Sequence, residues 1–149
     1  MSTHALPQSS GNSLGRTADR IMLVTLAAFS AAALAIGQYY GSLGLAAGVS
    51  LALLALGGFG YASAPGTLAS RLVLALAVSS SVALHIHLGR GTLEFHFGVF
   101  VTLALLLVYR DWRPIIAAAA FFAVHHVAFD RMQAAGMGVP AGYPDYVLH

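Results

Sequence analysis

Five long apolar runs, almost free of charge, constrain this chain more than any other feature: Ile21–Tyr39, Leu43–Ala62, Leu68–Leu88, Leu93–Tyr109 and Pro114–Phe129. Arg71 and Glu94 are the only charged residues inside them. A helix needs ~20 apolar residues to cross a bilayer. The first three runs reach that length, and flanking residues extend the two shorter ones. Lipid offers no water to bond backbone N–H and C=O groups, so such runs have to be helical. The expectation is an all-α, polytopic membrane helix bundle with about five transmembrane helices. Composition agrees: 58% of residues are hydrophobic and 8% charged, against ~25% charged in soluble domains. That argues against a soluble enzyme. The pI of about 9.3 rests on seven arginines against five acids with no basic stripe, which argues against nucleic acid as a partner. Lysine and cysteine are absent, which removes disulfides, thiolate metal sites, thioether-linked haem and cysteine nucleophiles.

The segments between the runs are chemically suited to turns: Gly41-Ser42, Ser63-Ala64-Pro65-Gly66, Gly89-Arg90-Gly91 and Arg110-Asp111-Trp112-Arg113-Pro114. Tyr39, Tyr40, Tyr109 and Trp112 stand at run ends, where aromatic belts form. Residues 1–19 are polar and rich in Gly, Ser and Thr, and are expected to form a disordered cytoplasmic tail. No small-residue cleavage site follows the first run, so it does not resemble a signal peptide. Residues 20–133 form the expected bundle, and residues 134–149 an extracytoplasmic tail or the approach to a further span. With the N-terminus cytoplasmic, Arg16, Arg20, Arg71, Arg110 and Arg113 lie inside, and Arg90 and Arg131 outside. The positive-inside rule favours this orientation. The glycines of the second run (Gly44, Gly48, Gly57, Gly58, Gly60) are read either as a close-packing face or as ordinary membrane-helix enrichment.

Of seven histidines, His85, His87, His96, His125 and His126 fall in or beside apolar runs. His96 precedes Arg110, and His125 and His126 follow Arg113, by similar lengths of helix. At ~1.5 Å per residue, all three rise by similar amounts from one cytoplasmic turn. His85 and His87 approach the outer turn at Arg90, and Glu94 follows it. Five histidines and a carboxylate thus converge on the outer ends of the last three spans. A single histidine near an interface is satisfied by a carbonyl or water; five at one depth point to a site. Imidazole suits Zn, Cu, Fe and Ni, and a carboxylate adds a ligand or orients a histidine. The candidate ligands are therefore His85, His87, Glu94, His96, His125 and His126. Copper is the first choice, because five histidines exceed the needs of one haem b, the alternative. For haem, Gly98 and Ala83 are the small neighbours expected to admit the ring. A proton relay or pH sensor without a cofactor stays open. His85 and His87 lie ~200° apart on a helix, so they point to different neighbours. His125-His126-Val127-Ala128-Phe129 also resembles the paired histidine that binds copper in haem-copper oxidases.

The stretch from His85 to Gln133 carries a further likeness. Glu94-Phe95-His96-Phe97 after a glycine-containing turn, Tyr109-Arg110-Asp111-Trp112-Arg113 and His125-His126 resemble the multi-span N-terminal membrane region of bacterial methyl-accepting chemotaxis proteins. Similar regions precede hybrid histidine kinases and diguanylate cyclases. The resemblance covers about 50 residues; before Leu68 the chain matches only as generic membrane sequence. It implies a sensory input region in the bacterial inner membrane that acts as a homodimer and answers to copper, a gas ligand or redox state. It also implies a further span and a cytoplasmic signalling module, which the sequence to His149 does not include. Gly98 departs from the family pattern, which has a second histidine there. The rival expectation is a small haem or copper electron carrier or oxidase-like protein. A transporter is disfavoured, because only Ser79, Ser80, Ser81 and Thr102 extend a polar path inward. The Arg110–Arg113 turn suits a cytoplasmic anchor or a contact that passes a signal inward.

Overall fold

The computed structural model describes residues 8–136, with side chains from residue 13. The expected tail at 134–149 lies outside the described residues beyond Gly136. Five helices follow one another: α1 (Gln8–Tyr39), α2 (Leu43–Ser63), α3 (Leu68–Leu88), α4 (Leu93–Leu105, continued by a 3-10 turn at Leu106–Tyr109) and α5 (Trp112–Ala134). No strand occurs among the described residues. The chain is an all-helical bundle, and α1, α2, α3 and α5 are long and apolar enough to cross a membrane. Measured as a helix, α4 is short. Its 3-10 turn rises ~2.0 Å per residue rather than ~1.5 Å, so Leu93–Tyr109 reaches about 27 Å, close to the ~30 Å hydrocarbon core.

α3 is the hub. It packs against α1, α2, α4 and α5, whereas α4 and α5 touch each other only sparingly. Its residues from Ala77 to Leu88 are buried almost without interruption, as expected of a helix surrounded by others. The outer helices each bury one stripe. On α5 it is Pro114, Ala118 and Phe122, spaced four apart. On α1 it is Gly15, Ala18–Asp19, Met22, Leu26, Ser30, Ala33 and Gly37. That seam begins before the first apolar run. Residues 8–19, expected as a disordered tail, are therefore the opening turns of α1. The reason is physical: Gly15 lets α1 approach the α2–α3 turn so closely that an added Cβ would lie 2.7 Å from the Gly66 carbonyl oxygen.

The glycines of α2 divide. A Cβ at Gly57 would meet Leu26 at 2.8 Å, and one at Gly60 would meet Val73 at 2.7 Å, so these two serve close packing. Around Gly44, Gly48 and Gly58 there is open space. The turns are capped locally. Thr67 accepts from the Ser70 N–H at the start of α3, and Asp111 accepts from the Arg113 N–H at the start of α5. Arg90 and Arg110 adopt left-handed backbone, with φ of 56° and 51°, where glycine or asparagine is more usual.

Candidate functional site: a histidine layer and an aspartate–arginine knot

The five intramembrane histidines do not behave alike. His85 is buried and turned toward α1, where its Nε2–H donates to the Phe29 carbonyl at 2.7 Å. Its ring also lies 5.5 Å from that of Phe29. His87, two residues on, faces α5, with its ring edge-on to Phe129 at 6.2 Å. The ~200° offset thus sends the two rings to opposite neighbours.

Three rings from α4 and α5 cluster. His96 and His126 face each other across the two helices with centroids 5.6 Å apart. His125 lies 5.9 Å from His126 and stacks on Phe129 at 4.3 Å. His87 and His125 both pack on the Phe129 ring, which places His87 beside this cluster. His96 Nδ1 donates to the Thr92 carbonyl at 3.2 Å. His126 Nδ1 donates to the Phe122 carbonyl at 3.0 Å. A carbonyl only accepts, so each bond places the proton on Nδ1 and leaves a lone pair on Nε2 of the neutral ring. Fixing a tautomer through a backbone carbonyl is also how metal-bound histidines are oriented.

Two candidate ligands stand apart. His85 is committed to α1, and Glu94 is exposed without a hydrogen bond or ion pair among the described residues. No group of three His, Asp or Glu side chains among the described residues is arranged to hold one metal ion. The donor set as folded is a facing pair, His96 and His126, flanked by His125 and His87. The space expected beside Gly98 for a haem ring is taken: a Cβ there would already lie 2.9 Å from Val82 Cγ1. Ala83 is likewise buried.

The opposite end of the bundle holds a polar cluster that the sequence did not suggest. Asp19 is 0% exposed. Its Oδ2 accepts from the Gly66 N–H at 2.7 Å and from the Ser70 hydroxyl at 2.5 Å. The Tyr109 hydroxyl, from the 3-10 turn that continues α4, is buried without a hydrogen-bond partner among the described residues. Arg71 pairs with Asp111 at 3.5 Å, donates to the Gly66 carbonyl at 3.1 Å and lies over the Tyr109 ring at 5.8 Å. Asp19 and Arg71 together tie α1, the α2–α3 turn, α3 and the α4–α5 turn into one knot. The seam of small residues leading back to Gly15 and Ala18 was the readable signal.

These features define a multi-pass membrane helix bundle with a histidine layer at one end and a charged knot at the other. Comparison with protein-family models, curated proteins and solved structures gave no match to this chain.

Proposed function

We propose that the chain is a membrane-embedded sensory input region whose histidine layer binds copper. The supporting observation is the facing pair His96–His126, each ring held by its own helix through Nδ1 with Nε2 left to coordinate. His125, its ring 5.9 Å from that of His126, and His87 flank the pair; coordination by three or more of them would require the rings to move, because no three donors are arranged for one metal among the described residues. Copper would supply a charged, redox-active centre that draws two imidazoles together. The two helices it would join meet mainly through α3, so their mutual contact resists displacement little. A shift of α4 against α5 is transmitted to their shared turn, where Asp111 is paired with Arg71. In the orientation set by the arginines, that turn is cytoplasmic, in the bacterial inner membrane. A cytoplasmic signalling module of the chemotaxis type, in a homodimer, would read the shift. The resemblance of His85–Gln133 to chemotaxis-receptor membrane regions supports this reading.

The test is elemental mass spectrometry and absorption spectroscopy on the detergent-purified chain, supplied with copper or haem. Stoichiometric copper that is lost in the H96A/H126A double variant and kept in H85A is expected. A Soret band would favour haem b and the electron-carrier reading. No metal under either supplement would end the cofactor proposal.

A further inference from the structure

The knot borders a groove that the histidine layer does not explain. Between the first turns of α1 and the 3-10 turn ending α4 lies a cavity of about 510 Å³. Leu14, Ile21, Leu107 and Val108 form apolar walls, and Arg71, Tyr109 and Arg110 give it a polar end. Leu14, Ile21, Leu107 and Val108 are themselves exposed on the outer surface of the bundle, so the groove is open along its apolar side. Arg71 has a buried Nε with no partner among the described residues, although its terminal nitrogens are engaged. Arg110 holds a left-handed position that asparagine or glycine fills at less cost. Around this end five arginines (Arg16, Arg20, Arg71, Arg110, Arg113) face two aspartates, Asp19 and Asp111. At the histidine end two arginines, Arg90 and Arg131, are balanced by Glu94 and Asp130.

We propose that this groove binds one anionic phospholipid, its headgroup at Arg71 and Arg110 and an acyl chain along Leu14, Ile21 and Val108. A free phosphate would satisfy the arginines but leave the apolar walls wet, whereas a lipid satisfies both. An uncharged lipid would leave the excess of positive charge unanswered. The site is independent of copper at the histidine layer.

The experiment is native mass spectrometry of the delipidated protein, titrated with phosphatidylglycerol or with phosphatidylcholine of identical chains. One phosphatidylglycerol is expected to bind at about tenfold lower concentration than phosphatidylcholine. R110N, which removes the charge and suits left-handed backbone, is expected to weaken it about fivefold, the effect of one arginine near a membrane surface. V108W, which fills the groove, is expected to abolish the preference. These variants act by charge and by volume, so instability in one leaves the other decisive. R90N, the matched left-handed arginine at the opposite end, is expected to change nothing. Equal binding of the two lipids, equal weakening by R90N and R110N, or full displacement of the lipid by millimolar inorganic phosphate would overturn the proposal.

Discussion

At the arginine end, polar side chains bond across helices. Asp19 of α1 holds the α2–α3 turn and Ser70 of α3, and Arg71 of α3 holds the α4–α5 turn. At the histidine end, His96 and His126 bond only to carbonyls of their own helices, and the rings meet edge to face without joining α4 to α5. The comparison teaches a division of labour. Buried polar groups with mutual partners fix the register of a bundle, and a partner removed there leaves others unpaired. Rings that meet edge to face without a hydrogen bond between them hold the bundle together weakly, and under the proposed function they are the groups left to take a ligand. His85 is the exception that clarifies the rule: it lies near the histidine layer but bonds across to Phe29 of α1, and so belongs with the structural groups.

Substitution at the knot should give the largest effect. D19A leaves the Gly66 N–H and the Ser70 hydroxyl without their acceptor, and is expected to cost about 3 kcal/mol or more. Reversible unfolding in detergent micelles would measure it, and D19N should recover part of the loss because its amide oxygen still accepts. A loss under 1 kcal/mol in D19A would erase the distinction between the two ends. Next comes G15A, whose Cβ would press on a backbone oxygen that cannot swing away. About 1–3 kcal/mol is expected for such overpacking, whereas G44A on the open face of α2 should be near neutral. H85A should cost about 1 kcal/mol, the usual net worth of a hydrogen bond, and leave copper uptake intact. Loss of copper in H85A would move that residue into the binding layer. The smallest change in stability is expected for H96A/H126A without metal, below about 1 kcal/mol, because both bonds removed are local and the rings are not fully buried.

The helices were legible because lipid imposes a simple rule on sequence: the boundaries of α2 and α3, and of α4 taken together with its 3-10 turn, coincide within a residue with the apolar runs and their glycine-bearing turns. The start of α1 was not legible from composition. Gly15, Thr17 and Asp19 are residue types that disfavour helices locally, and only contacts with Gly66 and Ser70, distant in sequence, make helix the better state there. The convergence of histidines followed from counting residues along α4 and α5 from one turn. Which of His85 and His87 joins the layer did not follow, because that depends on where α1 and α5 stand around α3. The spacing separated His85 from His87 by ~200°, and only the packed bundle sends the first to Phe29 and the second to Phe129.

The central claim, that one end holds the bundle together while the other is free to take a ligand, is tested most directly by thermal unfolding of the purified chain with and without copper, in wild type and H96A/H126A. Equal midpoints without metal are expected, with a rise of the wild-type midpoint alone when copper exceeds its dissociation constant, as ligand binding to the folded state requires. A large drop of the double variant without metal, or the same copper response in both proteins, would contradict the account.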